Sequence, residues 1–504
     1  MTTVDSNGTS EGVAQALSGD EAARAEPDPR RWLVLAVLSS LQFMILLDMT
    51  VVNVALPRIQ DGLGFSASGL AWVVNGYVLA AGGLLMLGGR LADVFGRRRL
   101  LLIGVVVFGL SSAVSGAAEA PWMMVVGRFG QGAAEAIAAP ASLGLIALLF
   151  TDPKERTKAL GVWGGIIGLG GTLGYVISGV LTDLVSWRWI FFINLPVALV
   201  ALVLVPRLVT ESQMVRAKDH SLDIIGAVTL TLGLVGVVYG LLQAAEHSWG
   251  STAVVVPIAA GAALLLTMLL VERRARNPLI PLGFFANRTR SVVNFVTLFF
   301  MAAFISYTFM LTLFEQQVLD YSPLVTGLAW LPLSVGIGGG IALGTALIPR
   351  LGVRVVTGGG FIGAGVGLFL TSTADVDSSY VGGIMPGMLV FGLFAGATMP
   401  AATNAALHGV TVQDSSLASG LQNTMQQIGG ALGVAVLVTL ALRHADGEIR
   451  LGTAPEVAMT EGYTLAFRIG AALMVIGGLL VMALIERVDT ELRDPMAESL
   501  AESR

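Results

Sequence analysis

Apolar runs of about 20 residues recur along nearly the whole chain, and they constrain its fold more than any other feature of the sequence. Each run is long enough to cross the ~30 Å hydrocarbon core of a bilayer as an α-helix. A helix satisfies its own backbone hydrogen bonds, which lipid cannot do. Only 12% of the 504 residues are charged, about half the share in a soluble domain. The sequence therefore predicts an all-α polytopic membrane protein.

Fourteen transmembrane helices are predicted, with ends accurate to a few residues. They are residues 32–56, 69–89, 100–118, 121–149, 158–182, 189–206, 222–243, 252–271, 291–315, 323–347, 353–372, 379–404, 418–442 and 463–486. Charged segments separate the seventh and eighth helices from the six before them and the six after them. The predicted domains are a disordered cytoplasmic tail (1–31), a six-helix bundle (32–206), a linker with two inserted helices (207–290), a second six-helix bundle (291–486) and a cytoplasmic tail (487–504).

The distribution of positive charge predicts the orientation of the chain. Lys and Arg concentrate at the cytoplasmic ends of transmembrane helices. With the N-terminus inside, the inner segments hold 23 of the 29 Lys and Arg residues, whereas the outer loops hold four. Both termini are therefore expected in the cytoplasm.

The residue types exclude several kinds of chemistry. The chain has no cysteine, so a disulfide and a Cys-ligated metal are impossible, and its four histidines show no metal-ligand spacing. Neither a phosphate-binding G-x-x-x-x-G-K-[ST] loop nor an H-E-x-x-H motif occurs. We therefore expect no enzyme, no cofactor, no metal and no nucleic-acid partner. ATP is therefore not expected as an energy source for this protein.

Three charged residues stand inside predicted helices of the first half, namely Asp48, Arg128 and Glu135. A charge within a membrane span is costly, so each one indicates a functional site. At ~1.5 Å per residue, Asp48 lies roughly 24 Å from the cytoplasmic end of its helix, and Arg128 lies roughly 9 Å from the outer end of its own. Both lie at a similar level in the outer half of the membrane, where they can interact.

Glu135 follows Arg128 by seven residues, about two turns, so both side chains share one face of their helix. Burial favours the protonated form of a carboxyl group, and a nearby Arg favours the ionised form. We predict that Asp48 and Glu135 are proton-coupling sites and that Arg128 tunes their affinity for a proton. Two alternatives remain open: Asp48 and Arg128 form a static packing pair, or Glu135 binds substrate instead of a proton.

The loop between the second and third helices reads GRLADVFGRRRLL (residues 89–101). It resembles the G-x-L-a-D-r-x-G-r-k signature of the major facilitator superfamily. The matching residues are Gly89, Leu91, Asp93, Gly96, Arg97 and Arg98. The resemblance implies that this loop is a conformational latch, in which Asp93 faces the start of the thirteenth helix near Ser415 and Ser416. The segment IPRLGVRVV (348–356) resembles a degenerate copy of the loop in the second half.

Further segments resemble the fourteen-helix drug–proton antiporter branch of that superfamily. They are LDMTVVNVALP (47–57), RFGQGAAEAIAAP (128–140), SWRWIFFINLP (186–196), NPLIPLGFF (277–285) and YSPLVTGLAWLP (321–332). The fifth-helix motif departs from the branch pattern, because Tyr175 stands in place of a proline and Ser178 in place of a glycine. The resemblance implies the major facilitator fold, with two six-helix bundles and two inserted helices, in a bacterial plasma membrane.

The resemblance also implies a proton-coupled antiporter that exports drugs or antibiotics, with self-resistance of an antibiotic producer as one role. An acidic and aromatic cavity suits a lipophilic cation or an amine-bearing compound, because carboxylates attract cations and aromatic faces add cation–π attraction. The residues predicted to line this cavity are Gln131, Glu135, Trp163, Tyr175, Tyr307 and Trp330. The predicted partners are the drug, protons and the lipid bilayer, and the protein is expected to act as a monomer.

Two other functions remain open. An uptake permease or facilitator for a small metabolite would use the same fold. A non-transporting membrane sensor or scaffold would need neither the loop signature nor the cavity residues. The place of Glu315, near the outer end of the ninth helix, also has two interpretations: it faces an outer vestibule, or it ends the helix.

Overall fold

The computed structural model describes residues 30–150, 152–211, 223–274, 282–408, 410 and 415–485. All regular structure within these ranges is helical, as the apolar runs predict. Residues 1–29 of the first predicted tail and 487–504 of the second lie outside the described residues, as do residues 212–222 and 275–281 of the predicted linker.

The described part of the chain forms fifteen α-helices. They are α1 (Arg31–Leu63), α2 (Ala71–Phe95), α3 (Arg97–Gly116), α4 (Pro121–Leu149), α5 (Pro153–Leu184), α6 (Trp189–Phe192), α7 (Asn194–Leu208), α8 (Ile224–Gln243), α9 (Thr252–Arg274), α10 (Arg288–Leu313), α11 (Pro323–Ala329), α12 (Leu331–Thr371), α13 (Met385–Ala406), α14 (Ser415–Arg450) and α15 (Pro455–Leu484). A 3₁₀-helix precedes α10 at Leu282–Ala286, and π-helical turns lie at Phe314–Val318 and Tyr380–Ile384.

Twelve helical segments among the described residues are long and apolar enough to cross a membrane. One of them, Pro323–Thr371, has 49 residues, or ~74 Å of helix, more than twice the hydrocarbon thickness. Its backbone leaves the helical conformation at Gly352, where φ is 77° and ψ is 158°. This break falls between two predicted helices, 323–347 and 353–372. The predicted fifth helix corresponds to α5, which has 32 residues and is not among the twelve. The number fourteen stays a prediction.

Several helices extend beyond their predicted ends. The fifth is predicted to begin at residue 158 but begins at Pro153, because the Asp152 carboxylate accepts hydrogen bonds from the backbone N–H groups of Lys154 and Glu155 and caps the helix. The thirteenth is predicted to end at residue 442, but α14 continues to Arg450. Hydropathy marks only the part of a helix that lipid surrounds, so polar end turns escape it.

The backbone repeats an unusual conformation at corresponding points of the two predicted bundles. Gly96 follows α2 with φ 98° and ψ 131°, and Gly352 within α12 has φ 77° and ψ 158°. Residues other than glycine rarely adopt a positive φ combined with an extended ψ. The sequence similarity between the α2–α3 loop and residues 348–356 therefore has a counterpart in backbone geometry.

The side-chain contacts of these two turns repeat as well. Arg98, two residues after the first glycine, donates to the carbonyl oxygen of Pro206 at 3.0 Å, two residues before α7 ends. Arg354, two residues after the second glycine, donates to the carbonyl oxygen of Met482, two residues before α15 ends. The same contact therefore joins a turn to the last helix in each predicted bundle, as expected of an internal duplication.

The inserted helices α8 and α9 pack against each other, and α8 lies along the seam between α2 and α14. On the α2 side, a Cβ atom on Gly83 would lie 2.2 Å from Oγ1 of Thr231, so only glycine allows this approach. On the α14 side, Oγ1 of Thr439 donates to the carbonyl oxygen of Leu241 at 2.8 Å. The insertion therefore contacts both predicted bundles.

The two predicted bundles meet closely at one end of the protein. We call the end that carries the α2–α3 turn the loop end, and the other the opposite end. At the opposite end, a Cβ atom on Gly179 of α5 would lie 2.6 Å from the carbonyl oxygen of Pro323, and one on Gly327 would clash with that of Tyr175. The backbones of α5 and α11 are therefore in close contact at the opposite end.

Candidate functional site

Asp48 of α1 is completely buried, and both of its carboxylate oxygens accept hydrogen bonds. Oδ1 accepts from Nε2 of Gln131 at 2.7 Å and from Nδ2 of Asn194 at 2.8 Å. Oδ2 accepts from Nη1 of Arg128 at 2.5 Å, which makes a charge-assisted pair. The predicted interaction between Asp48 and Arg128 is therefore direct in the structure.

Arg128 has further partners that hold it in place. Its Nε donates to the carbonyl oxygen of Val73 at 2.8 Å, and its Nη1 also donates to Oε1 of Gln131 at 2.9 Å. Its guanidinium carbon lies 4.4 Å from the centre of the Tyr77 ring, within the range of a cation–π contact. Only 2% of the Arg128 surface is exposed. These contacts fix α4 against α2 as well as α1.

Ser112 of α3 completes the cluster, because its hydroxyl oxygen lies 2.9 Å from Nε2 of Gln131 and 3.3 Å from Nδ2 of Asn194. We call the five residues on α1, α3, α4 and α7 the Asp48 network: Asp48, Ser112, Arg128, Gln131 and Asn194. Gln131, predicted to line the substrate cavity, is instead fully buried in this network because its amide group is bonded to Asp48 and Ser112.

Sequence analysis missed Ser112 and Asn194. In the sequence, each of them is only a polar residue within an apolar run. Many Ser, Thr and Asn residues of this chain have the same setting, so it does not single out these two. Which of them converge on the Asp48 carboxylate depends on the rotation of each helix, and a single sequence does not reveal that rotation.

The network surrounds the Asp48 carboxylate with donors. Every partner of Asp48 among the described residues donates a hydrogen bond to it, and the bond from Arg128 is charge-assisted. A proton on Asp48 would remove the charge that strengthens these bonds. Proton uptake would therefore loosen the contact between α1 and its neighbours.

Glu135 differs from Asp48 in its surroundings. It is partly exposed, but its Oε2 atom is buried and makes no hydrogen bond of normal geometry. The buried hydroxyl group of Tyr77 on α2 lies beside the Glu135 carboxyl group and also makes no bond of normal geometry. Glu135 lies on the same helix as Arg128 and within electrostatic reach of Asp48. A buried oxygen without a partner is unusual in a folded protein, and it can accept a proton or a hydrogen bond from a ligand.

The predicted aromatic residues form one cluster at the opposite end, except for Trp163. The rings of Tyr175 and Trp330 stack with a centroid distance of 4.8 Å and an interplanar angle of 12°, and Tyr307 lies 6.4 Å from Trp330. Tyr175, which replaces the proline of the family motif, lies in an uninterrupted helix and joins α5 to the second bundle. Trp163 is 92% buried and lies twelve residues earlier in α5, or ~18 Å away along the helix.

The α2–α3 turn is held by its own arginines. The Asp93 carboxylate and the Arg97 guanidinium lie 3.2 Å apart, and Arg97 also donates to the carbonyl oxygen of Gly144 on α4 at 2.8 Å. The backbone N–H of Arg98 donates to the carboxylate of Glu211 at 3.2 Å, so Glu211 caps the start of α3. Glu211, which sequence analysis did not single out, follows the last helix of the first bundle and fixes it to this turn.

The partner predicted for Asp93 cannot be located in the structure. Residues 411–414 and the side chains of Ser415 and Ser416 lie outside the described part. Gly89, also predicted for the latch, faces Pro140 of α4, and a Cβ atom there would lie 3.7 Å from that ring. The latch remains a prediction.

His444, Glu448 and Glu461 come together at the opposite end, where one potential metal-ligand atom from each lies within 4.8 Å of the others. The sequence did not indicate this group, because its members are contributed by two helices, α14 and α15. All three residues are at least partly exposed, and exposed acidic groups often approach each other without a metal. No metal site is assigned to them.

Comparison with known proteins identifies related sequences. Residues 38–434 match the family described as Major Facilitator Superfamily. The chain is 38% identical over 481 residues to the puromycin resistance protein pur8 of Streptomyces alboniger, and the match covers 94% of each chain. It is 39% identical to the lincomycin resistance protein of Streptomyces lincolnensis, covering 86% of this chain and 89% of that protein. It is 36% identical to the cephamycin export protein CmcT of Amycolatopsis lactamdurans, over 82% of this chain and 85% of that protein.

Solved structures share the fold at low sequence identity. The D-xylose–proton symporter superposes with a TM-score of 0.61 at 16% identity, over 90% of this chain and 98% of that one. A bacterial homologue of the human lysosomal transporter Spinster, in an inward-facing and unoccupied conformation, superposes with a TM-score of 0.60 at 16% identity. The match covers 90% of this chain and 97% of that one. These similarities concern the arrangement of the helices alone.

The Asp48 network yields a prediction about stability. Arg128→Met should lower the melting temperature strongly, because it leaves Asp48 ionised and buried without a countercharge, at a cost of about 3–5 kcal/mol. Adding Asp48→Asn should restore part of the loss, because it removes the uncompensated charge. Melting of the purified protein in detergent, followed by size-exclusion chromatography after heating, measures both effects.

The matched control is Arg450→Met, which removes an exposed pair with Asp446 and should leave the melting temperature nearly unchanged. Additive losses from Arg128→Met and Asp48→Asn would show that the two residues do not stabilise each other.

Proposed function

The chain belongs to the major facilitator superfamily, and we propose that it is a proton-coupled antiporter that exports drugs or antibiotics from the bacterial cell. It is a bacterial membrane protein that crosses the membrane several times, as its family, its bacterial relatives and its long apolar helices indicate. Several of its relatives are named as antibiotic resistance or export proteins, and they match it over nearly their whole lengths. The direction of transport in the proposal rests on these relatives.

The observation that carries proton coupling is the arrangement of donors around Asp48. Its carboxylate is buried deep in the first bundle and accepts three hydrogen bonds that join α1 to α4 and α7, and Ser112 of α3 lies within hydrogen-bond distance of two of these donors. Proton binding would remove the charge that strengthens these bonds, and it would therefore loosen the packing of α1 against α4 and α7. A group of this kind can link a proton gradient to a conformational change, which a static packing pair does not need to do.

In the proposed cycle, protons enter from the outside and drug leaves in the opposite direction. Protonation of Asp48 releases Arg128 or one of the amide donors, and the bundles rock about the central site until the proton leaves on the cytoplasmic side. Glu135, two turns along the same face of α4, offers its unpartnered oxygen to a second proton or to the amine of the substrate. This carboxylate supports the choice of lipophilic cations and amine-bearing compounds as substrates.

The proposal includes fourteen membrane crossings, with both termini in the cytoplasm and the monomer as the working unit. The break at Gly352 divides a 49-residue segment that is too long for one crossing, and α5 supplies a further helix of sufficient length. It also includes a latch at the loop end, where Asp93 would approach the N-terminus of α14 when that end closes. A helix N-terminus carries a partial positive charge that favours an acidic side chain.

Drug–proton exchange can be measured in inverted membrane vesicles. With an acid-inside gradient reported by a quenched dye, an amine-bearing antibiotic that is a substrate should restore fluorescence as protons leave. Asp48→Asn should abolish this recovery, because an amide cannot cycle a proton. An exposed carboxylate at the opposite end provides the control, since Asp446→Asn should respond like the unmodified protein.

The same assay separates the two roles of Glu135. Loss of recovery in Glu135→Gln with cationic compounds alone would assign it to substrate, and loss with every transported compound would assign it to the proton. Full recovery in Asp48→Asn would refute the proposed proton coupling. Accumulation of the compound inside energised whole cells that make the protein would identify an uptake permease instead.

The latch yields a prediction that separates binding from movement. Asp93→Asn should slow exchange by roughly fivefold, which corresponds to ~1 kcal/mol at a helix N-terminus. Equilibrium binding of the drug should change little, because Asp93 lies far from the Asp48 network along α2. The control is Asp61→Asn, at the exposed end of α1. A parallel loss of binding and exchange in Asp93→Asn would contradict the latch.

The absence of cysteine makes the topology directly measurable. Single cysteines at Ser248 and Thr373 should react with an impermeant maleimide on intact cells, and cysteines at Arg274 and Arg350 should react only after the cells are opened. These exposed positions bracket α9 and the part of α12 after the break. Labelling of Arg350→Cys on intact cells would mean that the kinked segment does not cross the membrane twice.

A further inference from the structure

Glu315 is a carboxylate that the proposed function does not use. It lies in the π-helical turn Phe314–Val318, between α10 and α11, and is completely buried. Neither of its carboxylate oxygens has a hydrogen-bond partner. A π-helical turn inserts an extra residue into a helix and often occurs at functional sites. Sequence analysis left open whether Glu315 faces a vestibule or ends its helix, and the structure instead places it inside the protein.

The indole N–H of Trp330, which follows α11, is a potential donor to this carboxylate. That nitrogen is itself buried and has no hydrogen-bond partner at normal geometry. Trp330 has no exposed surface, and the stacked ring of Tyr175 covers one of its faces. Two buried polar groups without partners, a carboxylate and an indole N–H, therefore lie next to each other.

The titratable groups within electrostatic reach of Glu315 come from four elements and are all tyrosines. They are Tyr175 on α5, Tyr307 on α10, Tyr321 in the loop before α11, and Tyr380 in the π-helical turn before α13. Phenols are neutral at physiological pH. Among the described residues, no Lys, Arg or His is recorded as an electrostatic partner of Glu315. An ionised Glu315 would thus have no countercharge in this conformation.

A buried carboxylate without a countercharge is far more stable in its neutral, protonated form. The ligand that meets this need must also fit the available space. Three of the surrounding side chains are almost completely buried, with 0% of Trp330, 1% of Tyr307 and 6% of Tyr175 exposed, whereas Tyr321 and Tyr380 are partly exposed. An organic cation would have to displace these rings, whereas a proton needs no added volume.

The burial of Glu315 depends on contact between the two bundles. The two residues that follow it bond to α1 of the first bundle: Nε2 of Gln316 donates to the carbonyl oxygen of Val54 at 2.7 Å, and Nε2 of Gln317 donates to Oε1 of Gln60 at 2.9 Å. The ring stack between α5 and the second bundle covers the same region. Separation of α1 and α5 from the second bundle at this end would break these contacts and admit water to the carboxylate.

We propose that Glu315 is a proton-binding site that controls closure of the opposite end: the end closes when the carboxyl group is neutral and opens when it is ionised. The inference deepens the proposed function and rests on it for the direction of proton movement. A proton taken up from outside would allow the opposite end to close, and the loop end would then open. It adds a proton-binding site in the second bundle, separate from the Asp48 network in the first bundle.

The test measures the opening of the opposite end directly. Spin labels on cysteines at Val185, after α5, and Asp377, after α12, report the distance between the bundles in the full-length protein in lipid nanodiscs. The open fraction should rise as pH increases from about 5 to about 9, with a slope approaching tenfold per pH unit for one coupled proton. Glu315→Gln, which keeps the neutral shape, should hold the low-pH distance throughout this range.

Asp320→Asn is the matched control, because it removes an exposed carboxylate five residues away at a positive φ of 52°, which Asn tolerates. This variant should keep the pH response of the parent. Glu315→Met provides a second neutral side chain if Glu315→Gln folds poorly, and it should also hold the closed distance. An unchanged pH response in either Glu315 variant, or a parent that does not respond to pH, would overturn the proposal.

The result is separable from the proposed function. A parent protein that opens with pH through Glu315 but shows no drug–proton exchange in vesicles would retain this gate and lose the antiporter assignment. A protein that exchanges drug for protons with a pH-independent distance would retain the antiporter and lose the gate.

Discussion

The buried pair of Asp48 and Arg128 is the interaction on which the rest of the first bundle depends. Removing two charges from water is costly, and the structure offsets this cost by satisfying both carboxylate oxygens and by giving the guanidinium a backbone carbonyl and an aromatic ring. These partners come from α2, α4 and α7 as well as α1. The ion pair is therefore maintained only while the helices keep one arrangement, which makes it sensitive to any step that changes its protonation.

Asp48, Glu135 and Glu315 differ in how their carboxylate oxygens are satisfied. Asp48 accepts three donated hydrogen bonds, whereas Oε2 of Glu135 and both oxygens of Glu315 have none. The first arrangement occupies both oxygens with donors, and the other two leave room for a proton or a donor. The two bundles thus hold acidic groups in contrasting surroundings within one conformation. A transporter that moves protons needs such differences, because a group with the same affinity for a proton in every conformation cannot couple the proton to movement.

Close helix contacts decide which parts of the molecule can move together. Glycine residues allow α5 to meet α11 at the opposite end, and α8 to lie along α2. The repeated contacts of Arg98 and Arg354 tie each turn to the last helix of its own bundle. Each predicted bundle is thereby braced internally, and the bonds of Gln316 and Gln317 to α1 connect the bundles at the end where Glu315 is buried.

The sequence by itself determined the class of fold, most of the helices and the pairing of Asp48 with Arg128. Apolar length reports the part of a helix that lipid surrounds, and helical rise gives the depth of a charge, so both follow from the chain alone. Tertiary structure alone decided that Ser112 and Asn194 join the Asp48 network, that Gln131 is buried there, and that Glu315 lies among aromatic rings. These outcomes depend on the rotation of each helix about its axis and on which bundles touch. Similar apolar surfaces permit many rotations, and the packing of all the helices together selects one.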